Sequence, residues 1–156
     1  MIIYRKATID DLKAIQDFTD WWLSGRGKAK GAAGAVNDCF ISTSQHRKYI
    51  LKYLTMICIE ENKVIAWAVL EPSGTLIHLF VAGNCRGKGI GKNMMNRLSP
   101  KQVRSKSNQS SGNPIGFYKK LGYWKMTQVK SRSRFDIDQI KPNRKPIIDV
   151  LEIDEP

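Results

Sequence analysis

Thr75–Leu98, TLIHLFVAGNCRGKGIGKNMMNRL, is the stretch on which the reading of this chain turns. It opens with an uncharged apolar run, Leu76 to Ala82, which includes β-branched Ile77 and Val81 and reads as a buried strand. Next comes Arg86-Gly87-Lys88-Gly89-Ile90-Gly91, a turn whose three glycines let the main chain approach a ligand and aim several N–H groups one way. Beyond it Ile90, Met94 and Leu98 recur four residues apart, on one face of a helix, and Pro100 cannot prolong that helix. A strand, a Gly-rich turn and a helix N-terminus in this order make a site for phosphate or pyrophosphate. Arg86, Lys88 and Lys92 add full charges to it.

Upstream, residues 1–6 (MIIYRK) predict a first strand. Thr8 is a candidate cap, with Asp10 and Asp11 at the positive end of a helix. The apolar face of that helix is Leu12, Ile15, Phe18 or Thr19, and Trp22, and it should end near Ser24-Gly25. Trp21 and Trp22 are adjacent and cannot share a face, so one is core and the other is free to line an opening. Residues 25–35, GRGKAKGAAGA, are small, basic and rich in glycine, as in a surface connection or a loop that orders over a substrate. In the second case Arg26, Lys28 and Lys30 would touch an anionic acceptor. Ser42 to Leu54 reads as a helix with Tyr49, Ile50, Tyr53 and Leu54 on its inner face and His46 and Arg47 on its exposed side. Met56–Ile59 and Val64–Leu70 read as strands joined by a tight turn at 61–63, and Pro72-Ser-Gly74 leads into the central strand.

Downstream, residues 102–108 form a weaker strand, because Val103 has few apolar companions. Asn113-Pro114 is a helix start, with Asn as cap and Pro in the first position. Ile115, Tyr118 and Leu121 share that helix's inner face, and Gly122 suits its end. Tyr123–Val129 and Ile147–Ile153 read as the last strands, around a basic, polar segment 130–146.

A chain of 156 residues with 42% hydrophobic and 26% charged side chains is expected to form one domain over 1–156. No apolar run nears the roughly 20 residues of a membrane span, and the N-terminus lacks a signal-peptide layout. With three scattered cysteines, Cys39, Cys58 and Cys85, this is the pattern of a cytoplasmic protein with reduced thiols and no metal site. Cys85 abuts the Gly-rich turn. The net charge of +12 is unevenly placed. Residues 72–135 hold thirteen Lys and Arg and no Asp or Glu, whereas residues 1–71 hold ten basic and eight acidic residues. An anionic ligand would use some of that excess. The remainder points either to a solvated basic surface or to a polyanion such as tRNA or DNA.

Arg86-x-x-Gly89-x-Gly91 after an apolar strand resembles the acyl-CoA loop of the GNAT superfamily of N-acetyltransferases. Asn113 through Phe117-Tyr118 to Gly122-Tyr123 is similar to that family's second signature, an Asn followed by Phe-Tyr and then Gly-Phe/Tyr. The resemblance implies an α/β (α+β) fold, with a mixed, mostly antiparallel sheet of six to seven strands and about four helices. It implies acetyl-CoA as co-substrate and direct transfer to a primary amine in a ternary complex. It implies that Leu79, Phe80 and Val81 hold the pantetheine arm and that the amides of Arg86, Gly87, Lys88, Gly89, Ile90 and Gly91, with Lys92, hold the diphosphate. Asn113 would hold the pantetheine or the helix start, and Tyr118 would stand near the sulfur, where a phenol can donate a proton to a leaving thiolate.

The central strand departs from many relatives in having no carboxylate. His78 is its one titratable residue and the candidate base, although a lone strand histidine is also a common core residue. Glu71, Asp38 and a chain of waters are alternatives. An amine of low pKa, such as that of an aminoacyl ester, would need no strong base. Two further readings stay open: an acyltransferase acting on an amine carried by nucleic acid, and a basic nucleic-acid-binding module without activity. A homodimer is compatible with either.

Overall fold

In a computed structural model, residues 1–22, 41–106, 114–130 and 147–153 are described. The strands are β1 (Ile2–Lys6), β2 (Leu54–Glu60), β3 (Lys63–Leu70), β4 (Thr75–Val81), β5 (Gln102–Lys106), β6 (Tyr123–Lys130) and β7 (Ile147–Ile153). The helices are α1 (Leu12–Trp22), α2 (Thr43–Lys52), α3 (Ile90–Leu98) and α4 (Ile115–Lys120). All seven strands lie in one sheet in the order β1-β2-β3-β4-β5-β7-β6, and among the described pairs only β4 with β5 is parallel. The mixed sheet and flanking helices match the expected architecture.

β3 is the spine of the sheet. Ile65 to Val69 are buried in succession, so both faces are covered, and Trp67 at its centre is fully enclosed. The β2–β3 hairpin turns at Glu61 and Asn62, both left-handed with φ of 51° and 63°, as a two-residue turn of matching twist requires. Across the sheet Ile57, Trp67 and Phe80 are register partners, as are Thr55, Val69 and His78, so these side chains share one face. That face meets α2, because His46 and Tyr49 lie ring to ring with Trp67 and His78 at 5.3 Å. Leu79 and Val81 point the other way. A Cβ on Gly91 of α3 would lie 3.9 Å from the Val81 side chain, which places α3 on that second face.

α1 buries Ile15, Phe18 and Thr19, as its spacing predicts. Trp22 packs half-buried against the core, whereas Trp21 is 40% exposed. The first turn of this segment is a 3-10 turn over Ile9–Asp11. The Asp11 carboxylate accepts the Thr8 N–H at 2.8 Å and two Arg5 N–H bonds at 2.8 Å each. The Arg5 guanidinium is the main reason that Asp11 stays below the usual carboxylate range.

Several expectations need correction. The second helix ends at Lys52; Tyr53 is extended and Leu54 opens β2 instead of closing the helix. His46, assigned by sequence to the exposed side, is buried at 1% exposure. α2 is wedged against the sheet along Gln45, His46, Tyr49 and Ile50, and the imidazole meets the Trp67 ring edge-on. Pro114 precedes α4 rather than opening it, accepting the Phe117 and Tyr118 N–H groups at 3.0 and 3.3 Å. The segment 25–35, Asp38, Cys39, Asn113 and the loop 131–146 lie outside the described residues.

Replacing Asp11 with Ala removes the helix-start acceptor and the Arg5 partner together, and is expected to cost about 1–2 kcal/mol in chemical denaturation at pH 7. The Asp11 pKa is depressed in the folded state. Its contribution is therefore present above the unfolded carboxylate pKa of roughly 3.9 and is lost as pH falls through the lower folded value. Wild type and Asp11→Ala should converge in stability in strong acid.

Candidate active site

The pairing of β4 differs on its two sides. With β3 it forms an antiparallel ladder from Leu76 to Val81, but with β5 it pairs only at Thr75↔Gln102 and Leu76↔Val103. The second ladder stops there although both strands run on. At the same point β4 carries a bulge: Leu70 faces Leu76 and Val69 faces His78, leaving Ile77 as the extra residue. A bulge bends its strand and re-aims the side chains after it. The half of β4 beyond the bulge, Leu79 to Val81, leads straight into the Gly-rich turn.

That turn has the construction of an anion cradle. After a short 3-10 turn at Gly83–Cys85, Gly87 and Gly89 take φ of 82° and 78°, where an L side chain is strained. A Cβ at either would meet nothing within 4 Å, so it is backbone conformation that requires glycine there. Gly89 leads into α3, whose start has no side-chain cap and no acidic residue in its first turn. The helix thus presents its positive end without an internal anion. Gly91 is different: a Cβ there would lie 3.3 Å from the Phe117 ring. Its smallness lets α4 come down beside the start of α3. Arg86, Lys88 and Lys92 are exposed around the turn, and Ile90 is buried beneath it.

Phe117 is a member of this site that sequence reasoning passed over. It is 37% exposed, lies against Gly91 and meets Tyr118 edge-on at 5.2 Å. Its signal was the Phe-Tyr pair itself, of which only the tyrosine was given a role. Tyr118 is buried at 5% exposure, and that burial pushes its phenol well above the ordinary tyrosine value. It is therefore a protonated donor throughout the physiological range. Cys85 is also buried, its Sγ 3.4 Å from Asn84 Oδ1.

His78 emerges on the other face of β4, toward α2. It is 3% exposed, and its Nε2 lies 3.1 Å from the Tyr49 hydroxyl within a group of rings formed by Trp67, Tyr49 and Phe80. The fold brings the Gly-rich turn, the α3 start and the Phe117-Tyr118 pair onto one face. His78 stands apart on the opposite one. Among the described residues no group of three His, Cys, Asp or Glu side chains is placed to hold a metal ion. No helix among them is long and apolar enough to cross a membrane.

Comparison with known proteins agrees with this arrangement. Residues 52–125 match the family model described as acetyltransferase (GNAT) domain. No curated protein matches the chain in sequence. Among solved structures, the ribosomal-protein-S18-alanine N-acetyltransferase from Escherichia coli superposes with a TM-score of 0.67 at 12% identity, over 98% of this chain and 93% of that one. Arabidopsis thaliana Naa50, solved with the bisubstrate analogue CoA-Ac-MVNAL, gives 0.65 at 14% identity, over 96% and 97% of the two chains. The protein yncA from Salmonella typhimurium, solved with its cofactor acetyl-CoA, gives 0.62 at 17% identity, over 100% and 96%. The resemblance read from the two motifs is thereby borne out: residues 52–125 match the GNAT acetyltransferase domain model, and the chain as a whole has the fold of the solved N-acetyltransferases.

Proposed function

We propose that this protein moves an acetyl group from acetyl-CoA to a primary amine by direct attack in a ternary complex, within a single domain spanning residues 1–156. The observation that carries this reading is the β4–β5 ladder that stops after two pairs and opens toward a glycine-built, uncapped helix start. The residues present suit the donor: open space over Gly87 and Gly89, a positive helix end, and three exposed cations for a diphosphate. When bound, the donor supplies a thioester. Its C–S bond breaks as a C–N bond forms to the amine.

The protein's own groups have separate tasks. The amides from Arg86 to Gly91, with Lys92, hold the diphosphate, and Asn113 completes the donor site. The main chain of β4 from Leu79 through Phe80 to Val81 aligns the pantetheine arm, so that fixed dipoles meet the charge developing on the carbonyl oxygen. Tyr118 donates to the departing sulfur. His78 takes the proton that the amine loses, with its ring held by the Tyr49 hydroxyl. Donor and proton acceptor thus work from opposite faces of one strand.

Gly89→Ala forces an L side chain into a left-handed position, at a cost of about 1–2 kcal/mol, and tilts the amides before α3. It should raise KM for acetyl-CoA several-fold in a free-thiol assay, and an unchanged KM would remove those amides from the site. Tyr118→Phe is expected to lower kcat about a hundredfold with little change in KM. Because burial raises the wild-type phenol pKa, kcat should not fall through Tyr118 ionisation between about pH 7 and pH 10. His78→Ala should lower kcat by a similar factor at unchanged acetyl-CoA affinity. A variant that loses melting temperature but keeps wild-type kcat would assign the ring to packing alone.

A further inference from the structure

We propose that the Ser105 hydroxyl donates a hydrogen bond to the sulfur of the acyl-CoA donor and steadies that sulfur as it leaves. This role rests on the acetyl-transfer reading above.

Ser105 is enclosed in β5 at 1% exposure, and its Oγ finds no hydrogen-bond partner among the described residues. A hydroxyl taken out of water without a partner costs stability, so native chains keep few of them. A ligand that completes the bond removes that cost. Position singles this hydroxyl out. Thr55 Oγ1 and Trp67 Nε1 also have no hydrogen-bond partner, but they lie on β2 and β3, strands paired on both sides. β5 is paired with β7 along its whole length, from Gln102 to Lys106, and with β4 only at Gln102 and Val103. Its edge toward β4 is open from Arg104 onward, and Ser105 stands two residues past the last pair.

Register decides the face. Leu76 pairs with Leu70 whereas His78 pairs with Val69, so the bulge at Ile77 sets Leu76 on the α3 face. Val103, the β5 partner of Leu76, shares that face, and by alternation so does Ser105. Burial agrees: Val103 and Ser105 are enclosed, and Gln102 and Arg104 are half-buried. α4 lies on this face too, beside the start of α3, and carries the buried Tyr118. Ser105 and Tyr118 therefore stand on the same side of the sheet.

Reach identifies the atom served. With the diphosphate at the start of α3, the pantetheine arm runs back along β4 from Val81 toward Leu76. That path is about 17 Å at 3.3–3.4 Å per residue. An extended pantetheine arm has that reach, so its sulfur arrives where the β4–β5 ladder closes, at the level of Ser105. The carbonyl oxygen is met by the main chain of β4, which leaves the sulfur for the side that holds Tyr118 and Ser105.

When the amine nitrogen bonds to the acetyl carbon and the C–S bond breaks, the electron pair of that bond goes to sulfur. A thioester sulfur is a weak hydrogen-bond acceptor and a thiolate a strong one. A hydroxyl fixed beside it therefore binds the transition state better than the donor. Ser105 keeps its own proton throughout. The proton that sulfur gains comes from Tyr118, and the one that nitrogen sheds goes to His78, giving amide and free thiol.

The test is the ionisation of CoA bound to the full chain, read as the ultraviolet difference between its complex and that of desulfo-CoA, which lacks the sulfur. Ser105→Ala should make the bound thiol about tenfold harder to ionise. Calorimetry should find desulfo-CoA affinity unchanged. The donor-free melting temperature should be no lower than that of wild type, because the hydroxyl has no internal bond to lose. Ser105→Thr, which keeps the hydroxyl, should titrate as wild type does. Ser105→Val, with a methyl in place of that hydroxyl, should follow Ser105→Ala and replaces it if the alanine variant does not fold. Wild-type thiol ionisation in the variants without a hydroxyl would overturn the proposal. So would an equal loss of affinity for CoA and desulfo-CoA, or a donor-free melting temperature lowered by Ser105→Ala. Each of those results, with CoA bound, removes Ser105 alone. A wild-type chain that takes up neither CoA nor desulfo-CoA sinks the acetyl-transfer reading itself.

Discussion

The structure depends on a strand that is paired fully on one side and only briefly on the other. β4 cannot leave the sheet, because β3 holds it from Leu76 to Val81 and β3 itself is buried on both faces around Trp67. It also does not close against β5, because the bulge at Ile77 bends it where their ladder ends. Buried main-chain groups need partners. A sheet that opens beside a strand this firmly anchored is thus suited to an extended ligand that pairs as a strand would. The Gly-rich turn lies at the open end because the chain leaving β4 must reverse into α3 there.

Layering follows from the same strand. Beyond the bulge its alternation sends His78 and Phe80 toward α2, and Leu79 and Val81 toward α3. One face therefore collects aromatic rings and both histidines of the chain. The other collects glycines, cations and the Phe117-Tyr118 pair. The division gives each face its own chemistry, with an uncapped helix start, exposed cations and a protonated phenol on one and a buried, hydrogen-bonded imidazole on the other.

Much of this was legible in the sequence wherever local pattern and packing agree. The strand, turn and helix of Thr75–Leu98 follow from apolar runs, glycine spacing and a four-residue repeat. The alternation that puts His78 with Phe80 holds, whereas the bulge at Ile77 pairs Leu76 with Leu70 and sets it on the face opposite His78. Other features depend on contacts distant in sequence. His46 stands three and four residues before Tyr49 and Ile50, on their face of α2, but its polarity masked that spacing and its ring partner Trp67 comes from β3. The hydrogen bond between Tyr49 and His78 spans 29 positions. The bulge has no glycine or proline to announce it, because a register slip is a property of two strands together. Val103 gave a weak strand signal because β5 gains its core from neighbours on both sides rather than from its own residues.

The central claim is that main-chain amides and cations between Arg86 and Lys92 grip the diphosphate of an acyl-CoA. Calorimetric titration of acetyl-CoA into the full chain and into Arg86→Ala tests it most directly. The account predicts uptake of one acetyl-CoA per chain with a matching rise in melting temperature, both weakened in the variant. No heat and no thermal shift in the folded wild-type protein, or identical binding by Arg86→Ala, would contradict it.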